Sequence, residues 1–161
     1  MRTGIGYDIH RFDPSRTLVL GGVVFEGEAG LAGHSDADVL LHAIIDALLG
    51  AAGLGDIGTH FPPGDPQWKD TDSRALLQDT LRMIRERGLA PVNIDSTVIV
   101  EMPRLAGRIV EMRARIASLL GLPEGRVNVK ATTNEGLGPI GRGEGIVAMA
   151  VALLEEAEAG A

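Results

Sequence analysis

The 161-residue chain contains no cysteine, which excludes a disulfide scaffold, a cysteine nucleophile and any thiolate metal site, and suits a reducing cytoplasm. Aromatic residues make up only 3% of it, two lysines stand against thirteen arginines without a basic block, and the formal charge is -7. A nucleic-acid surface needs a basic footprint and usually stacking rings, so that class of partner is set aside. Long apolar runs are missing as well: His42 and Asp46 interrupt residues 39–54, and residues 146–154 are too few for a bilayer. No secretory signal pattern opens the chain. The expectation is a cytoplasmic protein with no membrane partner, folded as a single domain over residues 1–161. Such a length buries roughly 70% of the unfolded surface without covalent staples.

What the chain does have is a set of metal-type ligands at regular spacing. In Gly4-Ile5-Gly6-Tyr7-Asp8-Ile9-His10 every second residue is apolar, so a strand is expected to turn Ile5, Tyr7 and Ile9 inward and to hold Asp8 and His10 together on the other face. Gly4 and Gly6 leave that face uncrowded. His42 follows at helical spacing behind Ser35-Asp36-Ala37-Asp38. One carboxylate and two imidazoles suit zinc or a similar divalent ion, and three ligands leave a coordination position open. Asp38, His42 and Asp46 fall at i, i+4 and i+8, so either aspartate could hold the far ring nitrogen of His42. Each residue also has a plainer reading, as an exposed strand face, a satisfied core histidine or a solvated helix face.

Periodicity and punctuation predict strands over residues 1–10, 92–101, 126–132 and 145–154, with a tight hairpin around Gly21-Gly22 in residues 18–25. Helices are expected over residues 36–50, with Ser35 as N-cap and Asp38 as capping-box carboxylate, over 72–87 stopping at Gly88, and over 104–120 stopping at Gly121. Residues 53–70 form a Gly/Pro-rich loop of the length that usually serves a function. Together these elements favour an α+β, two-layer, ferredoxin-like sandwich with helices on one sheet face. The other sheet face would be left apolar, which suggests an oligomer.

Three further segments carry anion or metal chemistry. His34-Ser35 lies at the expected helix N-terminus, where backbone N–H groups favour a phosphate. Lys130-Ala131-Thr132-Thr133-Asn134-Glu135-Gly136 ends a strand with oxygen donors that suit a phosphate and a hard ion such as magnesium, or an ordinary turn. Gly141-Arg142-Gly143-Glu144-Gly145 is either a flexible turn or an arginine fork aimed at an anion.

Five segments together resemble one family, the 2-C-methyl-D-erythritol 2,4-cyclodiphosphate synthases of the non-mevalonate isoprenoid pathway. They are Gly-Tyr-Asp-Ile-His at 6–10, Ala-Gly-His-Ser-Asp-Ala-Asp-Val-Leu-Leu-His-Ala at 32–43, Gly-Asp-Ile-Gly at 55–58, Val-Asn-Val-Lys-Ala-Thr-Thr at 127–133 and Gly-Arg-Gly-Glu-Gly-Ile at 141–146. The resemblance implies zinc or manganese on Asp8, His10 and His42, and magnesium or manganese shared between Glu135 and a substrate diphosphate. It implies that His34 and Thr133 steady phosphates at the transition state, with Asp8, His10, Ser35, Asp56, Gly58, Phe61 and Asp65 also around the substrate. Cytidine contacts map onto Val100, Pro103, Arg104, Leu105, Ala106, Ala131, Thr132 and Thr133. Members are trimers with active sites between subunits, and Arg142, also among the substrate contacts, lies with Glu144 near a central cavity on the trimer axis. Three positions depart from the family's habit: Pro63 replaces a common aspartate, Arg104 a frequent lysine, and Pro139 an aromatic of the central cavity.

The implied reaction is a phosphoryl transfer within one molecule. The 2-phosphate of 4-diphosphocytidyl-2-C-methyl-D-erythritol 2-phosphate attacks its own β-phosphorus and releases CMP, by a metal-assisted, cyclising phosphorus–oxygen lyase reaction. A zinc phosphohydrolase, or a nucleotide-binding module whose metal only organises the fold, are the alternatives.

Overall fold

The alternating amino terminus forms one long strand, β1 (Arg2–Leu20), which turns at Gly21-Gly22 into β2 (Val23–Leu31). Both turn glycines have left-handed backbone, φ 60 and 72, as a two-residue hairpin loop of this hand requires. The computed structural model describes residues 1–157, in which the chain continues through α1 (Val39–Ala52), α2 (Ile57–His60), α3 (Ser73–Glu86), β3 (Leu89–Ile99), α4 (Ile109–Leu120), β4 (Val127–Thr132), α5 (Gly138–Gly141) and β5 (Gly145–Glu156). The strands form one mixed sheet in the order β2-β1-β5-β3-β4, antiparallel except for the β3–β4 pair. Helices α1, α3 and α4 pack with it around one continuous apolar core, in keeping with the α+β expectation. Among the described residues no helix is long and apolar enough to cross a membrane.

Strand β1 sits the opposite way up from the sequence reading. Ile5, Tyr7 and Ile9 remain 67, 54 and 49% exposed, and Tyr7 and Ile5 pair with the also exposed Met149 and Val151 of β5. The face that meets the helices carries Gly4, Gly6, Asp8 and His10. A Cβ on Gly4 would overlap the Ala47 carbonyl oxygen and crowd Ala51, and one on Gly6 would overlap the Ala43 carbonyl oxygen. Helix α1 thus lies directly on the strand backbone, and the apolar alternation marks the uncovered face. That face is apolar, as the sequence suggested.

Helix α1 starts three residues later than expected. Ala37 has φ 57, a left-handed backbone that cannot continue a helix, so Asp38 becomes the N-cap in place of Ser35. The Asp38 carboxylate accepts from the backbone N–H groups of Leu41, Gly21 and Gly22 at 3.0, 2.9 and 2.6 Å, binding the hairpin turn to the helix start. Every residue of α1 except Asp46 and Gly50 is buried. Helix α3 is capped by Asp72 and ends before Gly88 much as the sequence indicates. Helix α4 begins at Ile109, not at residue 104, because a short 3-10 turn over Ala106–Arg108 precedes it and frees residues 103–106 to line a pocket. The Gly/Pro-rich stretch of 53–70 contains α2 and a 3-10 turn at Pro66–Trp68.

The close approach of α1 to β1 predicts that Gly6→Ala lowers stability by about 1–3 kcal/mol through overpacking against rigid backbone. Gly125→Ala, which meets nothing within 4 Å, should stay within about 0.5 kcal/mol of the parent. Denaturant midpoints at unchanged m-value measure both, and equal midpoints for the two variants would show the contact to be soft.

Candidate active site

The strand pleat places Asp8 and His10 on one face of β1, and His42 reaches them from the first turn of α1. The Asp8 carboxylate lies 3.0 Å from His10 Nε2 and 3.0 Å from His42 Nδ1, and the two ring nitrogens are 3.3 Å apart. A tetrahedral ion with ligand bonds of about 2.0–2.1 Å has ligand atoms about 3.3 Å from one another, so this triangle fits a zinc-sized divalent ion with almost no movement. The group is the expected metal-type set of Asp8, His10 and His42. His10 Nδ1 donates to the Ala32 carbonyl at 2.6 Å, which turns Nε2 toward the triangle. Burial pushes the Asp8 carboxyl up, but its hydrogen bonds with His10 and His42 outweigh that and hold it well below the usual carboxylate range. Burial likewise pushes His10 down, and the hydrogen bond and charge of Asp8 raise it above its ordinary value instead.

The far nitrogen of His42 is not held by either aspartate that the helical spacing offered. Asp38 is committed to the three backbone donors, and the Asp46 carboxylate accepts from Ile57 N–H at 2.7 Å, joining α1 to α2. Burial raises the Asp46 carboxyl. The partners of His42 Nε2 are two hydroxyls, Ser73 Oγ at 2.9 Å and Ser35 Oγ at 3.1 Å. Ser73 in turn donates to Asp36. Sequence patterns offer no signal for Ser73, which is 31 positions from His42 and enters as the first residue of α3.

The triangle forms part of the wall of a cleft that His34, Ser35, Ile57, Gly58, Phe61, Pro63, Trp68 and Leu76 complete. Asp56 stands at its edge as the N-cap of α2, and Phe61 packs edge-on against Trp68 with ring centroids 5.0 Å apart. Asp65 caps the 3-10 turn and accepts from the Gln67 side chain. Because α1 starts late, His34-Ser35 belongs to a turn and not to a helix N-terminus. The Arg16 guanidinium, which the sequence did not single out, donates to the Gly33 and Ser35 carbonyls and fixes that turn.

A second pocket is lined by Val100, Glu101, Pro103, Arg104, Leu105, Ala106, Ala131, Thr132 and Thr133, every position expected for cytidine. Glu101 accepts from the Asn134 and Gly136 N–H groups at 2.9 and 3.2 Å and so shapes the loop in which Glu135 has a left-handed φ of 51. Thr133 Oγ1 donates to the Glu135 carboxylate at 3.3 Å. Arg142, which lines a third pocket, pairs with Glu144 at 2.7 Å. Within one chain, the triad cleft and the second pocket share no lining residue.

The YgbB family profile matches residues 1–155. The chain belongs to that family. Among curated relatives, proteins named 2-C-methyl-D-erythritol 2,4-cyclodiphosphate synthase from Moorella thermoacetica and Gloeobacter violaceus are each 58% identical, over 100 and 97% of this chain and 99 and 96% of theirs. Of solved structures, the bifunctional IspDF from Campylobacter jejuni superposes with a TM-score of 0.93 at 44% identity, over 96% of this chain and 42% of that one. The CDP complex of Plasmodium falciparum IspF superposes with a TM-score of 0.84 at 34% identity, over 98 and 97% of the two chains. The five segments that suggested a cyclodiphosphate synthase resemblance therefore point to the right family.

A divalent ion entering the triangle competes with protons for the His10 ring, whose hold on a proton Asp8 strengthens. Affinity for zinc is therefore expected to fall as pH drops, by roughly tenfold per unit for each proton released. Competition titrations at pH 8 and pH 6, with proton release read from buffer-dependent calorimetry, measure this. Equal affinity at both pH values would remove His10 from the ligand set.

Proposed function

We propose that the chain converts 4-diphosphocytidyl-2-C-methyl-D-erythritol 2-phosphate into 2-C-methyl-D-erythritol 2,4-cyclodiphosphate and CMP, in the cytoplasm, as a homotrimer with active sites between subunits. The observation that carries this reading is the pairing of a ligand triangle in one cleft with a separate pocket at 100–106 and 131–133. A substrate with a diphosphate between a nucleoside and a sugar alcohol needs both, and subunits that bring one chain's cleft to its neighbour's pocket supply both. The apolar face of Ile5, Tyr7, Ile9, Met149 and Val151 supports assembly, since water-exposed patches of that kind commonly mark interfaces. Light scattering should report a trimer, and a fully active monomer would refute the shared site.

In this reading an oxygen of the 2-phosphate attacks the β-phosphorus, the bond from that phosphorus to the CMP oxygen breaks, and CMP leaves. A phosphate monoester is already anionic near neutrality, so no strong base is required. Asp8, His10 and His42 would hold zinc or manganese and Glu135 magnesium or manganese, and such ions would supply neutralisation of the crowded charge. His34 and Ser35 at the cleft wall and Thr133 at the second pocket would donate to phosphate oxygens, and Asp56, Gly58, Phe61 and Asp65 would hold the erythritol end. Pro103, Arg104, Leu105 and Ala106 would enclose the cytidine. Holding the two phosphates in line is the larger part of the task, because a flexible substrate otherwise seldom adopts that geometry.

Turnover in water enriched in heavy oxygen tests the reaction. No label should enter CMP or the cyclic product, because the nucleophile is a substrate oxygen, and label in either would favour hydrolysis. Glu135→Gln keeps the shape of the side chain and should lower turnover on the order of 10²-fold while leaving zinc content normal.

A further inference from the structure

The hydroxyl of Ser73 is wholly buried and sits between two groups of the site. It donates its single proton to Asp36, whose other carboxylate oxygen accepts from Ser73 N–H at 3.1 Å. A hydroxyl that has given its proton away can only accept from a third partner. That partner is His42 Nε2 at 2.9 Å, so the ring must carry a proton there. Ser35 Oγ, 3.1 Å from the same nitrogen, accepts from Ala37 N–H at 3.1 Å and has a second lone pair for the ring. With an ion in the triangle, an imidazole whose proton is on Nε2 presents its lone pair at Nδ1, the atom that faces Asp8 and His10.

We infer that Ser73 and Asp36 are positioning residues that fix the tautomer and orientation of His42, with Asp36 acting through the Ser73 hydroxyl. Neither touches the ligand triangle. Metal-bound histidines commonly bond a carboxylate directly through the far nitrogen, and here a serine is interposed. The hydroxyl comes from the first turn of α3 and Asp36 from the turn before α1, so the relay also ties the His42 ring to the packing of those two helices. The inference rests on the reading of Asp8, His10 and His42 as a metal centre; the part that stands without an ion is the Nε2–H bond to Ser73, since in the ion-free triangle the Asp8 carboxylate takes Nδ1 as a donor.

Two measurements on the full chain test it separately from that reading. In the metal-free protein at pH 8, nitrogen-15 NMR should show the His42 Nε2–H protected from solvent exchange, and Ser73→Ala should expose it. Zinc affinity should fall roughly ten- to hundredfold in Ser73→Ala and several-fold in Asp36→Asn, the range typical of partners behind a metal ligand. Because Asp36 acts through the hydroxyl, adding Asp36→Asn to Ser73→Ala should cost no further affinity. A purely structural role for Asp36 as a link to α3 would instead give losses that add, and that result would overturn the relay. An unchanged His42 Nε2–H in Ser73→Ala would also overturn it, whatever the metal does. If His42→Ala bound zinc as the parent does, the metal-centre reading would fail, while the NMR result would still decide the hydrogen bond.

Discussion

The site depends on how closely one helix can lie on one strand. Gly4 and Gly6 of β1 have no side chains to hold α1 away, and Ala43, Ala47 and Ala51 give α1 a stripe of small residues at four-residue spacing to lay against them. Helix backbone then meets strand backbone, and His42, one residue before this stripe, is delivered to Asp8 and His10 on the next pleats of the same strand. Ligand atoms 3.0–3.3 Å apart leave little tolerance, since a helix lifted by the thickness of a methyl group would open the triangle well beyond the span of a small ion. Packing density and chemistry are therefore one constraint in this region: the glycines that weaken β1 as a strand are what allow it to carry a ligand pair.

Asp38 secures the other end of the same contact. Complete burial pushes its carboxyl up to about 6, against three backbone N–H donors that favour the charged form. The donors come from the hairpin turn and from the helix start, so the carboxylate joins two elements that no apolar contact could orient at the same point. With its folded value above that of an unfolded aspartate, its contribution to stability is full below about pH 4 and declines as pH rises toward 6. The group costs stability at neutral pH and gives geometry in return, a trade expected where a turn must be held beside a functional site.

The ligands were legible because their geometry is local. A period of two places Asp8 and His10 on one face whichever way the strand is turned, and an amphipathic run places His42 on a helix. What failed depended on partners far along the chain. Apolar alternation at Ile5, Tyr7 and Ile9 identified a face but not what would cover it, and the glycines decided that α1 took the opposite one. The start of α1 was misplaced because Ser35-Asp36-Ala37-Asp38 contains two plausible caps, and only the left-handed Ala37 separates them. Ser73 and Arg16 were invisible as site residues, since each acts by reaching a loop or ring that the fold alone brings near.

A chain of charge -7 is an unpromising receptor for a substrate with several phosphates, and this bears on how the anion would be held. Four of its thirteen arginines pair with carboxylates: Arg74 with Asp72, Arg82 with Asp79, Arg108 with Glu111 and Arg142 with Glu144. Arg104 is exposed at the second pocket and makes no ion pair among the described residues. Long-range attraction is consequently weak, and in the proposed reading affinity would come from short-range donors such as backbone N–H groups, hydroxyls and His34, and from cations. Cations placed by Asp8 and Glu135 would convert part of the chain's own negative charge into binding sites for phosphate. An acidic protein can in that way hold a highly anionic molecule without the basic surface that would also attract nucleic acid.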